Sequence, residues 1–197
     1  MAPLAGCMTV SLNPPYPPDW PAPVADRVGV CPSISGRYVN LGQMHLEAGA
    51  SCEGTDRPED GLWDCSVLLT SNLGLPVSGP VAALAQPDAD TLTVSVTGDD
   101  RVPREVRQLR RGRDFQCDAE SLFFSDTRSM LGSPGMTALG IVMLSGGINH
   151  HSRAFARNAA GELVMTVRQR TTGYHLLFGW SGTTTNHVRW RAAETAP

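Results

Sequence analysis

An all-β body is predicted: an antiparallel meander of roughly eight to ten strands forming a single sandwich or barrel-like domain. Three observations carry this. Strand-length apolar runs are separated by Gly, Asn, Asp and Pro turns along most of the sequence. No helical period is sustained over a window of about 11–18 residues. One run, Thr91–Thr97, alternates cleanly, with Leu92, Val94 and Val96 on one side and Thr and Ser on the other, as a half-buried strand requires.

The elements follow in order. Residues 28–39 are punctuated by Pro32 and Gly36, and Tyr38-Val39 begins an extended run closed by an Asn40-Leu41-Gly42 turn. Residues 43–47 return as a short strand. Residues 66–74 are open between helix and strand, because the apolar run is too short to show a period; Pro76, Gly79 and Pro80 end it. After Thr91–Thr97, Gly98-Asp99-Asp100 turns the chain. Phe115 and Cys117 share a face, and in the run 121–125 Leu122 and Phe124 point inward and Phe123 outward. Residues 126–136, with Gly132, Pro134 and Gly135, are expected to be a loop, followed by an apolar strand over 137–144. The run 148–155 is a strand, and Asn158-Ala159-Ala160-Gly161 is a hairpin loop. Residues 162–170 place Leu163, Met165 and Val167 on one face; Tyr174, Leu176 and Phe178 line a further strand, and Val188 with Trp190 the last.

Composition narrows function. A chain of 197 residues suits one domain with its own core: residues 29–193, with a tail at 194–197. The formal charge of −3 gives no electrostatic case for nucleic acid. All 16 basic residues are arginine, so no lysine is present for Schiff-base or phosphate-loop chemistry. Arg101, Arg104, Arg107, Arg110, Arg111 and Arg113 form a basic stretch, but Asp99, Asp100, Glu105 and Asp114 interleave with it. It reads as a solvated face, with a patch for anionic lipid or peptidoglycan as the alternative. No run approaches the roughly 18 apolar residues of a spanning helix.

Leu4-Ala5-Gly6-Cys7 resembles the processing box of bacterial lipoproteins. In that family the cysteine is acylated and becomes the first residue of the mature chain. The resemblance implies lipidation at Cys7, and Met8 in the following position, being other than aspartate, implies transfer to the outer membrane. Only Met1-Ala2-Pro3 precede the box, fewer residues than the basic and apolar parts of a secretory signal need; the expectation is that the chain starts late within such a signal, the alternative that the match is accidental. Residues 11–25 carry six prolines, which donate no backbone hydrogen bonds and favour an extended spacer. Residues 1–28 are thus read as a signal remnant, lipid-attachment cysteine and tether. The alternative is a disordered tail with Cys7 a free thiol. Tyr16 and Trp20 are amphipathic rings suited to capping an edge of the body or meeting head groups.

Beyond Cys7 four cysteines remain. An even number in an exported protein points to two disulfides, with three pairings open. Cys52 and Cys65 bracket a polar stretch without a core of its own, so stapling that loop is the expected use of the pair. Cys31 then joins Cys117. Their spacings contain no close pair of the kind zinc favours, so no metal is expected.

No catalytic residue is assigned. His150 and His151 are neighbours and point to opposite faces of a strand, and His45, His175 and His187 are scattered. Neither Ser145-Gly146-Gly147 nor Ser181-Gly182-Thr183 matches a nucleophile elbow. Phe124, Phe178 and Trp190 are expected in the core. Trp180, placed before a polar glycine-bearing turn, is assigned to a binding rim. Ser35-Gly36-Arg37-Tyr38 faintly resembles the Gly-x-Trp region of lipocalins, and the whole layout is similar to small β-rich lipoproteins of Gram-negative bacteria. The expectation is therefore a lipid-anchored envelope protein on the periplasmic face of the outer membrane. Its role is non-catalytic binding or structural support, without a cofactor, through an envelope protein or a small apolar ligand. A lipocalin-like carrier, with a cavity lined by Leu163, Met165 and Val167, is one rival; a cell-wall hydrolase or its inhibitor is the other.

Overall fold

The computed structural model describes residues 8–12, 15–24, 26–45, 62–76, 79–98, 102–131, 135–136, 142–143, 145–175 and 178–193. In chain order the strands are β1 (Met8–Leu12), β2 (Arg27–Val28), β3 (Cys31–Pro32), β4 (Gly36–Val39), β5 (Leu41–His45), β6 (Leu62–Leu68), β7 (Val81–Asp88) and β8 (Thr91–Thr97). They continue as β9 (Pro103–Arg110), β10 (Gln116–Cys117), β11 (Leu122–Leu131), β12 (Gly135–Met136), β13 (Val142–Met143), β14 (Ser145–Arg157), β15 (Leu163–His175) and β16 (Phe178–Trp190). One helical turn, α1 (Leu69–Asn72), follows β6.

The protein is antiparallel β, arranged in several sheets. The largest has the order β10-β11-β14-β15-β16-β5-β6, with β1 added parallel to β16. A second sheet has the order β4-β7-β8-β9, and β2-β3 and β12-β13 form two small ribbons. Among the described residues, none of these sheets closes on itself into a barrel. The chain falls into two compact units. One comprises Pro14–Phe124, Arg153–Val167 and Asn186–Pro197, and the other Met1–Asn13, Ser125–Ser152 and Arg168–Thr185.

The larger unit holds the core. Leu92, Val94 and Val96 are buried from β8 as their alternation requires, and Ala82 and Leu84 face them from β7. Leu122 and Phe124 point inward from β11, and Phe155, Leu163, Met165, Val188 and Trp190 complete the cluster. Burying side chains of this size stabilises by about 1.5–3 kcal/mol each. The rings are laid against one another: Phe124 meets Phe155 edge-on at 5.6 Å, and Phe155 stacks on Trp190 at 6.1 Å.

Asn40 marks the corner between β4 and β5, which belong to different sheets. The residue is buried, and its carboxamide satisfies groups that the corner would otherwise leave without partners. Its Oδ1 accepts from Thr70 N at 3.1 Å, and its Nδ2 donates to Gly79 O at 2.9 Å. The stretch left open between helix and strand is both: β6 runs to Leu68, and α1 begins where the Thr70 amide meets Asn40.

Tyr38 is 1% exposed and donates its hydroxyl to Ile34 O at 3.0 Å. Burial pushes its phenol up to about 12, with Arg157 opposing the rise. The unfolded chain loses this proton near pH 10 and the folded chain does not. The contribution of this group to stability is therefore fully present below about pH 10 and is lost between about pH 10 and 12. A titration followed at 295 nm is expected to show Tyr38 ionising only with unfolding; a reversible ionisation near pH 10 in the folded protein for all tyrosines would contradict it.

Several expectations are corrected. Residues 126–131, expected to begin a loop, continue β11. Tyr174 lies next to the end of the strand that starts at Leu163, and Val188 and Trp190 lie at the end of the strand that starts at Phe178. The polar turn expected after Trp180 is extended and lies within β16. The expected strand over 137–144 falls largely outside the described residues, with Val142–Met143 as β13. The hairpin loop at Asn158 is present: its Oδ1 accepts from Ala160 N and Glu162 N, and Gly161 takes φ +76°.

Candidate functional site

Along β14 and β15, Phe155, Leu163 and Met165 face the core. The alternate positions, Ala154, Ala156, Val164 and Thr166, therefore face the opposite side. Val164 is nevertheless only 3% exposed, because a second layer covers it. That layer is the proline-rich segment.

Residues 15–24, expected to stand clear of the domain as a tether, lie on this outer face as a strap. Val24 N donates to Arg157 O at 2.8 Å, and Ala159 N donates to Ala22 O at 3.0 Å. Pro23 bridges to Asn158. Trp20 is 4% exposed, with the Arg189 guanidinium 5.2 Å above its ring, a cation–π contact. The Tyr16 ring meets Trp20 edge-on at 6.0 Å and His187 at 5.6 Å. Prolines give the segment its extended path at low entropic cost, and the two aromatic rings fasten it.

Beneath the rings, His187 Nδ1 and Thr166 Oγ1 share a hydrogen bond of 3.1 Å, and Arg189 Nε donates to Gln43 Oε1 at 3.2 Å. The Tyr16 hydroxyl donates to Pro21 O at 2.9 Å. Burial pushes its phenol above the usual tyrosine range; the Glu162 carboxylate adds to the rise and Arg189 opposes it. The donor is thus kept protonated, and the strap holds its own turn closed.

Between the strap and the sheet lies a cleft of about 370 Å³. Its floor is made of small side chains, Ala154, Ala156 and Val164, and its roof of Tyr16, Pro23 and Val24. Arg27 and Glu120 add opposite charges to the lining, and Ser121 and Thr166 add hydroxyls. Small apolar walls with a few polar groups are a composition that ligand sites commonly have.

Trp20→Ala tests the strap. The change is expected to cost about 3 kcal/mol and to speed hydrogen exchange at the Val24 and Ala159 amides, leaving the β8 amides protected. Unchanged exchange at Val24 would show that the ring does not hold the strap.

The predicted site residues are placed as follows. Cys31 and Cys117 form a disulfide, with Cα atoms 5.3 Å apart, as expected. Cys65 lies on β6, while Cys7 and Cys52 fall outside the described residues. Trp180 is 41% exposed on β16. His150 Nδ1 pairs with Thr127 Oγ1 at 3.0 Å. Among the described residues, no three His, Cys, Asp or Glu side chains converge as a metal site would need. In the basic stretch Asp114 is the hub. It accepts from Arg113 at 2.7 Å and from Arg110 N at 2.8 Å, and the Arg113 hydrogen bond holds its carboxyl below the usual range. The sequence reading missed the outer-face layer of Thr166, His187 and Arg189. Its one signal was the pair of rings, Tyr16 and Trp20, in an otherwise polar, proline-rich segment.

Comparison with protein-family models, with curated proteins and with solved structures finds no match.

Proposed function

We propose that this is an exported envelope protein, anchored by a lipid on Cys7 at the periplasmic face of the outer membrane, whose body acts by binding. The observation that carries the reading is the Cys31–Cys117 disulfide, since such bonds persist in oxidising compartments and are rare in the cytosol. The strap adds support: the segment after the lipoprotein-like box is built into the domain surface and forms one wall of a cleft. A partner of the body would be an envelope protein offering a small apolar or peptide end to that cleft.

A lipocalin-like interior site is less favoured. Leu163 and Met165, which would line it, pack against Phe155 and Trp190 in the core. A small apolar ligand would instead take the outer-face cleft. The finer reading of the larger unit is barrel-like, supported by hydrogen bonds from Val39 N to Arg191 O and from Ala193 N to Arg37 O, which couple the end of β16 to β4. A bridge between Arg111 and Phe115 likewise leads from β9 towards β10.

Fractionation of the native host tests the anchor. The full-length gene product is expected in the outer-membrane fraction, and its Cys7→Ser form in the soluble periplasmic fraction. Identical distribution of the two would overturn lipid anchoring.

A further inference from the structure

The smaller unit is built differently from the larger. Its strands β14, β15 and β16 are half-exposed at most described positions on both sides over residues 146–152 and 168–185. Three of the large apolar side chains that remain exposed among the described residues, Ile148, Tyr174 and Trp180, belong to it. Tyr174 is 52% exposed and Trp180 41%. Contact with a partner or a surface is one reason for leaving rings of this size open.

Their positions supply one. Trp180 stands near the start of β16, Tyr174 near the end of β15, and Gly146 near the start of β14. Each ring lies over a glycine on the neighbouring strand. A Cβ on Gly173 would come within 2.6 Å of the Trp180 ring, and one on Gly146 within 2.9 Å of the Tyr174 hydroxyl. Gly173 and Tyr174 are consecutive, so the rings flank opposite faces of the same end of the sheet. An end flanked on both faces suits contact end-on.

The same end receives the amino-terminal strand. β1 runs parallel to β16, with Met8 in register with Trp180. Cys7 precedes Met8 in the sequence, and consecutive Cα atoms are about 3.8 Å apart, so a lipid on Cys7 would be tied covalently to the chain next to Met8.

We propose that this end of the smaller unit seats on the bilayer, with Trp180 and Tyr174 in the head-group layer on either side of it. The inference rests on acylation of Cys7. Tryptophan and tyrosine favour this layer because an apolar ring and a polar tip are both satisfied there. A lipid chain gives attachment without orientation, and flanking rings fix which way the domain faces.

The test uses acylated full-length protein in phosphatidylcholine vesicles carrying a brominated acyl chain, with the acyl group first verified by mass. Trp20 and Trp190 are buried and the fourth tryptophan, Trp63, is replaced by phenylalanine in every protein compared, so Trp180 is expected to supply the bromolipid-quenched emission, and Trp180→Phe to lose it. Tyr174→Trp in that background moves the reporter to the other face and is expected to restore quenching. Acylated protein whose quenching is the same with and without Trp180 would overturn the bilayer contact, leave the anchor standing, and assign the rings to a protein partner. A Cys7 without an acyl group would overturn both.

Discussion

Replacing Cys31 and Cys117 together by serine is expected to lower the unfolding free energy by about 4 kcal/mol. The two cysteines are 86 residues apart, and closing a loop of that length removes roughly this much chain entropy from the unfolded state. For a chain of this size the fall in Tm is about 10 °C. The bond ties the small β2-β3 ribbon to β10, at the edge of the largest sheet. Cys31 is 0% exposed, so weak reductants are expected to act only under conditions that open the fold. A thermal melt with and without dithiothreitol checks this, and coincident melts would show that the bond does not form.

Trp190→Ala is expected to cost about 3–5 kcal/mol, the range for removing a fully buried aromatic side chain. The ring is 0% exposed, stacks on Phe155, and donates its indole N–H to Val67 O at 3.0 Å. It therefore joins β16 to β6 through polar and apolar contacts together. Trp190→Phe keeps an aromatic surface and leaves the Val67 carbonyl without its donor, for an expected cost of about 1–2 kcal/mol from that bond. The opposing wall is Gly42, where a Cβ would come within 2.5 Å of the indole nitrogen. Gly42→Ala is expected to destabilise by about 1–3 kcal/mol through overpacking. Combined with Trp190→Phe it should cost less than the sum, since the smaller ring relieves the clash. Urea denaturation of the four proteins measures this, and strict additivity would contradict direct contact.

What was legible in the sequence depended on how each strand is buried. β8 alternates because one side faces the core and the other does not. The inward Leu122 and Phe124 were readable for the same reason. β7 went unread: its buried Ala82 and its buried Gln86 give little β signal in sequence. Residues 126–131 read as the start of a loop because Gly132, Pro134 and Gly135 follow them, and residues 181–186 as a turn because they are rich in Ser, Thr, Gly and Asn. Residues 181–186 are half-exposed, and a strand without one buried side shows no period of two.

The strap failed to be read for another reason. Proline fixed the extended conformation of residues 15–24 correctly, but the surface that receives them is made by Arg157, His187 and Arg189, more than a hundred residues away in sequence. A local pattern carries no record of such a partner. Sequence leaves three pairings of the four cysteines open; Cys31–Cys117 was expected only because Cys52 and Cys65 bracket a polar stretch suited to a staple, and Cys52 lies outside the described residues.

The central claim is that the chain is exported and anchored through Cys7, and intact mass with non-reducing peptide mapping of the full-length product from its own host tests it most directly. An amino-terminal Cys7 carrying acyl groups, together with a linked Cys31–Cys117 peptide, is the result expected. A chain continuous through Cys7 with every cysteine reduced would contradict it.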